Sequence, residues 1–145
     1  MNKWSDTSRE RLLSCHPDII RIFNEVLPHF DCTVVEGHRP VERQQQLYAQ
    51  GRTEPGPIVT KVDGVNIKSK HNYQPSRAID VVPFPIDWHD TGRMYYFAGF
   101  VMATAQRLYD QGHIQHRLRF GGDWDMDTEV NDHTFMDLPH FELID

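Results

Sequence analysis

Arg77-Ala78-Ile79-Asp80-Val81-Val82 is a short apolar run interrupted by one carboxylate. Such a run, rich in β-branched residues and too short for a helix, reads as a strand buried on both faces. Thr33-Val34-Val35 upstream and Arg117-Leu118-Arg119-Phe120 and Phe141-Glu142-Leu143 downstream are further short strand candidates. Between and before them lie helical patterns. Ser5 or Asp6 suits the cap of a first short helix, and Pro17 suits the opening turn of a second. In that second helix Ile19, Ile20, Phe23, Val26 and Leu27 share a face, and Pro28 ends it. Pro40 opens a third helix through Leu47 and Tyr48, with Gly51 just past its end. The strongest pattern is Met94, Phe97, Ala98, Val101, Met102, Ala105, Leu108 and Tyr109, with Asp90 or Thr91 before it and Gly112 after. Val59–Val62 and Val65–Lys68 flank Asp63-Gly64, which predicts a hairpin. Helices lead and strands dominate the second half. The expectation is an α+β fold with a small, largely antiparallel central sheet flanked by helices.

The chain has 145 residues, 39% hydrophobic and 25% charged, which fits one domain with one core. Residues 1–30 are expected to supply its N-terminal helices and 31–145 the functional core. Charge is uneven: residues 123–145 carry eight acids and no Lys or Arg, against thirteen acids and fifteen bases before them. That acidic end repels phosphate backbones and no basic stripe occurs elsewhere, which argues against nucleic-acid binding. The N-terminus lacks an apolar signal core and no stretch has the ~18 apolar residues of a membrane span, so the chain is expected to be made in the cytoplasm without an export signal. Cys15 and Cys32 have neither metal nor redox spacing and read as lone buried thiols.

Chemistry gathers in two distant segments. The first is Ser69-Lys70-His71 followed by Asp80; the second is Asp137-Leu138-Pro139-His140. Two imidazoles and one carboxylate suit Zn²⁺ and leave a fourth position for water. Asp137, three residues before His140, is placed to act as that water's base. The pattern points to a zinc hydrolase. Of the nine histidines, His16, His29, His89, His113 and His116 adjoin turns or helix ends and read as surface or capping residues, while His38 and His133 lie beside functional segments.

Ser69-x-His71, Ala78-x-Asp80 and Asp137-x-x-His140 together resemble the zinc peptidase family of D-alanyl-D-alanine carboxypeptidases and L-alanyl-D-glutamate endopeptidases. That family includes phage endolysins and shares its core with hedgehog and lysostaphin proteins. Gly37-His38-Arg39 with Gln46, and Phe120-Gly121-Gly122-Asp123-Trp124, resemble its flanking segments, so the likeness covers residues 31–145. The sequence departs from the pattern at three points. His71 and Asp80 are nine apart rather than seven, Ser76 replaces a glycine, and Asp137 stands where glutamate is common. A two-residue loop insertion within residues 72–75 accounts for the first.

The resemblance implies a hedgehog/D-Ala-D-Ala peptidase-like fold, with Zn²⁺ held by His71, Asp80 and His140 and Asp137 as base. Arg39 would stabilise the oxyanion or a substrate carboxylate, Gln46 would contact substrate, and Ser69 would position the ligand loop. The implied substrate is peptidoglycan, at the L-Ala–D-Glu bond, for a monomeric phage endolysin that starts in the host cytoplasm. A holin-type membrane lesion would give it access to the wall. The rivals are a D,D-carboxypeptidase or dipeptidase of the same chemistry, and a non-catalytic zinc-containing interaction module. Asp123, Asp125, Asp127 and Glu129 alternate, with Asp132 beyond; this resembles the opening of a Ca²⁺ loop but lacks the EF-hand glycine, which Thr128 replaces.

Overall fold

The apolar run is β2 (Ala78–Pro83), an inner strand of a four-stranded antiparallel sheet in the order β1-β2-β4-β3. It pairs with β1 (Cys32–Glu36) and β4 (His140–Ile144), and β3 (Arg117–Phe120) pairs with the far side of β4. The helices are α1 (Asp6–Leu13), α2 (Pro17–Val26), α3 (Val41–Ala49) and α4 (Thr91–Asp110). This computed structural model describes residues 1–131 and 136–145.

Alternation along the strands gives the sheet two unlike faces. On one, Val34 pairs with Val81, Ile79 with Phe141, Phe141 with Phe120 and Leu118 with Leu143. All are buried, and α2 and α4 cover them with Ile19, Ile22, Phe23, Phe97, Val101 and Leu108. Phe141 is the hub, its ring 5.6 Å from Phe23, 5.4 Å from Phe120 and 6.3 Å from Phe97. Burying each such side chain contributes about 1.5–3 kcal/mol. The N-terminal helices thus share one core with the strands.

Local sequence sets the helix ends. The Ser5 hydroxyl accepts the Ser8 N–H and caps α1. The His16 ring caps α2 by accepting the Asp18 N–H, with Pro17 in the first turn. Asp90 caps α4, whose end at Gln111 is followed by Gly112 at φ +76°. Although α4 has 20 residues, no helix among the described residues is long and apolar enough to cross a membrane.

The predicted hairpin is not there. Residues 55–69 contain no strand, because Asp63 turns the chain onto its own side chain. Asp63 Oδ1 accepts the N–H groups of Val65, Asn66 and Ile67, which would otherwise be free for a ladder. Ile58, Val59, Val65 and Ile67 also remain exposed, so no buried face rewards strand pairing. The segment instead runs across the mouth of the other sheet face.

Candidate metal centre

That other face carries the chemistry in two rows across the sheet. Glu36, Asp80 and His140 are register partners on β1, β2 and β4; Ala78, Glu142 and Arg119 form the next row on β2, β4 and β3. Glu36 reaches this face through an irregularity in β1. Val34 pairs with Val81 but Glu36 pairs with Asp80, so β1 has one extra residue at that point. In an unbroken register Glu36 would lie on the apolar face with Val34; the bulge moves it to the polar one.

His71 arrives from outside the sheet on a 3-10 turn, Lys70–Asn72. Ser69 and Asn72 lock that turn reciprocally: Ser69 Oγ accepts the His71 N–H at 3.2 Å, and Asn72 Oδ1 accepts the Ser69 N–H at 2.9 Å. The turn is tied to the Arg39 backbone by Arg39 N–H to His71 O (2.7 Å) and Asn72 Nδ2 to Arg39 O (2.9 Å). Residues between His71 and Asp80 pair elsewhere. Ser76 is fully buried, its N–H bonded to Ser14 O and its carbonyl to the His16 N–H. The longer spacing is absorbed in that excursion, and His71 and Asp80 still meet.

Donor atoms of His71, Asp80 and His140 lie within 4.8 Å of one another. His71 Nε2 and His140 Nδ1 are each 3.3 Å from Asp80 Oδ1. The far nitrogens define the tautomers. His71 Nδ1 is 2.8 Å from the Gly37 carbonyl, which only accepts, so Nδ1 carries the proton and the neutral ring aims a bare Nε2 at Asp80. That Nε2 is buried without a hydrogen-bond partner among the described residues. A Cβ at Gly37 would collide with the Arg11 carbonyl and Ser14 Oγ, so glycine lets this carbonyl reach His71. His140 Nε2 is 2.8 Å from Glu142 Oε1, which likewise leaves Nδ1 facing Asp80. A lone pair pointed at a carboxylate, as on His71, repels it unless a cation lies between them, and at His140 a proton fills that role until a metal replaces it. The donor set therefore fits a zinc ion, with two neutral nitrogens and one anionic oxygen.

Electrostatics agree. Burial opposes ionisation of Asp80, but His140 and His71 outweigh it and hold the carboxyl well below the usual range. Burial likewise opposes charge on His140, yet Asp80 and Glu142 push it up to about 9. Glu142 falls to about 2 because His140 and Arg119 outweigh its burial. The cluster attracts positive charge.

Asp137 stands beside these three side chains, with Oδ2 3.9 Å from His140 Nδ1. Its N–H bonds Gly121 O at 2.8 Å, and its carbonyl accepts the His140 N–H at 3.1 Å. Any Cβ at Gly121 would strike the Asp137 carbonyl. Burial and then Asp80 push the Asp137 carboxyl upward, the direction suited to a base. Arg39 is clamped by Glu36 at 2.6 and 2.8 Å and by Gln44 Oε1 at 2.8 Å. Three of its five N–H donors are thereby committed. These groups line a cleft of about 500 Å³, whose opposite wall is Val59, Thr60, Lys61, Val62 and Lys68 from the segment that crosses its mouth.

Residues 1–144 match the family model described as phage L-alanyl-D-glutamate peptidase. The chain belongs to that family. It is also 31% identical over 124 residues to the peptidoglycan L-alanyl-D-glutamate endopeptidase CwlK of Bacillus subtilis (strain 168), across 79% of this chain and 61% of CwlK. The chain thus spans about three fifths of that relative's length. Among solved structures, the Serratia marcescens L-Ala D-Glu endopeptidase ChiX superposes with a TM-score of 0.65 at 22% identity, over 97% of this chain and 89% of ChiX, a likeness of fold.

Other residues of this family member fall differently from expectation. Gln46 is exposed and bonds Arg43; the glutamine that reaches inward is Gln44, fully buried against Arg39, Thr60 and Val62. Glu36, Gln44 and Glu142 were missed in the sequence. His140-x-Glu142 was the available signal, since residues two apart on a strand share a face. In the acidic loop Asp123, Asp125 and Asp127 bring carboxylate oxygens within 4.8 Å; Glu129 is outside that group, and Asp132 and His133 lie outside the described residues. His16, Asp18 and His116 also cluster, but His16 Nδ1 is used by the Asp18 N–H, and Asp18 Oδ2 accepts from Gln115, His116 N–H and His116 Nδ1. That cluster is a staple joining α2 to the start of β3. Cys15 and Cys32 are free and buried, and burial pushes both thiols up to about 12.

Proposed function

We propose that this protein is a zinc metallopeptidase that hydrolyses the L-Ala–D-Glu bond of peptidoglycan stem peptides, and that it acts as a phage endolysin in host lysis. Family membership supports the reaction class. The observation that carries it is the convergence of bare His71 Nε2, His140 Nδ1 and Asp80 Oδ1 beside Asp137 in an open cleft. The B. subtilis relative is named for the same bond.

In this reading His71, Asp80 and His140 hold Zn²⁺. When bound, the ion supplies Lewis acidity, which polarises a carbonyl and acidifies a water molecule. Asp137 accepts the proton of the attacking water at its carboxylate and delivers it to the leaving amine. Arg39, held by Glu36 and Gln44, turns its two uncommitted N–H donors toward the oxyanion or a substrate carboxylate. Preorganisation matters here because a guanidinium already fixed loses little freedom when substrate arrives. Ser69 keeps the turn bearing His71 in place. The wall segment at residues 59–68 closes the substrate side of the cleft.

The single catalytic unit acts as a monomer and reaches the wall through a holin-type lesion. Calcium at Asp123, Asp125 and Asp127 is part of the same proposal, as a cation that orders the loop leading to Asp137. The direct test of the base is Asp137→Ala. Hydrolysis should fall by about 10²–10⁴ while one zinc per chain remains. Activity near wild type in the zinc-loaded variant contradicts the role given to Asp137.

A further inference from the structure

His140 can offer a cation either nitrogen, and the sheet decides which. We propose that Glu142 and Arg119 are positioning residues that hold His140 in the Nε2–H tautomer, so that it faces the metal pocket through Nδ1. The inference rests on the metal-centre reading and extends it to two side chains that do not touch the ion.

Four observations converge. Glu142 lies two residues beyond His140 on β4, so both project from the same face. Its Oε1 is 2.8 Å from His140 Nε2. Its Oε2 is 2.7 Å from Arg119 Nη2, and Arg119 is its register partner on β3. Glu142 is only 7% exposed, so this carboxylate is committed to the protein rather than to water. A carboxylate held from behind by an arginine cannot rotate away without leaving a partly buried cation unpaired. Lys70 Nζ, 3.8 Å from Oε2, adds charge on the same side.

Arg119 is itself placed by the loop that follows it. Its guanidinium carbon is 5.6 Å from the Trp124 ring centroid, and Nη1 bonds the Trp124 carbonyl at 3.4 Å. The Trp124 ring in turn lies 5.6 Å from that of His140. The imidazole is thus fixed at its far nitrogen by Glu142 and across its plane by Trp124. His71 solves the same problem with a backbone carbonyl and presents the opposite nitrogen. The centre combines Nε2 of one histidine with Nδ1 of the other, and each choice is dictated by the acceptor behind the ring.

The test uses the full chain and Zn²⁺ alone. Zinc dissociation constants would be measured by competition with a chromophoric chelator for wild type, Glu142→Gln, Glu142→Ala and Arg119→Gln, alongside melting temperatures. Proton–nitrogen spectra of the histidine rings would be recorded on the zinc-loaded wild type. The inference expects His140 protonated at Nε2, and zinc affinity about 10–100-fold weaker in Glu142→Ala. Glu142→Gln should lie between, because it keeps an acceptor and loses the charge. If Glu142→Ala does not fold, the wild-type spectrum and Glu142→Gln still decide. A wild-type His140 protonated at Nδ1, or affinities unchanged across folded variants, overturns this inference and leaves the zinc reading intact. A wild type that binds no zinc overturns both.

Discussion

Two groups of carboxylates occupy this molecule, and they differ in how they are held. Asp80 and Glu142 sit on strands, each fixed by named partners on neighbouring strands, above a packed aromatic core. Asp123, Asp125 and Asp127 sit on a loop in which Met126 and Thr128 take positive φ, with Asp125 and Asp127 exposed. Both groups bring oxygens close together. The difference lies in what stands behind the oxygens. At the sheet, the far nitrogen of each imidazole is occupied, so the near one has a single direction. In the loop, the carboxylates also bond local backbone, as in Thr128 N–H to Asp123 Oδ2 and Glu129 N–H to Asp127 Oδ1. A constellation on rigid elements is preorganised; one on a loop must be ordered by whatever it binds.

The largest expected effect breaks the sheet group at its centre. Asp80→Ala removes the one oxygen that both imidazoles face. It should lower zinc affinity by more than the roughly hundredfold typical of residues behind a ligand, and abolish hydrolysis. Metal content after dialysis checks this; one retained zinc per chain would mean that Asp80 is not a ligand. Asp125→Ala sharpens the contrast from the other side. It should leave zinc affinity unchanged and remove any calcium-dependent rise in melting temperature. For wild type that rise should be about 5–10 °C with calcium a hundredfold above its dissociation constant. No rise in wild type removes calcium from the account.

The smallest effect concerns His16, whose ring caps α2 away from both groups. Burial lowers its pKa, and His116 and Arg77 add to this while Asp18 opposes it. A histidine whose folded pKa is depressed binds protons more readily when unfolded. Its contribution is therefore present above the ordinary histidine range near 6.5 and is lost as pH falls through it. His16→Asn keeps a capping acceptor that does not titrate. Its melting temperature should fall less than that of wild type between pH 7.5 and 5.5, and equal losses would show that this cap does not contribute.

Much of this was legible in the sequence because it is local. The β2 run, the 3.6-residue pattern of α4, Pro17 at the start of α2 and the Asp137-x-x-His140 pair all depend on residues a few positions apart. What was not legible depends on pairing. The β1 irregularity that turns Glu36 toward Asp80 exists only relative to β2. In Gln44-Gln45-Gln46, three identical side chains offer no local sign of which one faces Arg39; helix rotation against the wall segment selects Gln44. Asp63-Gly64 failed as a hairpin signal because an Asx-type turn satisfies the same residues without strands. Glu142 was hidden by its apolar neighbours, Phe141 and Leu143, whose burial belongs to the opposite face.

The central claim is that this sheet face is the centre of a metal-dependent peptidase. Its most direct test is mass spectrometry of muropeptides after digestion of purified peptidoglycan, with and without a chelator. The account predicts stems that have lost L-Ala and begin with a free D-Glu amino group, absent with chelator and restored by zinc. Release of terminal D-Ala would move the cleavage to another bond, and an intact wall exposed to zinc-loaded protein would contradict the claim.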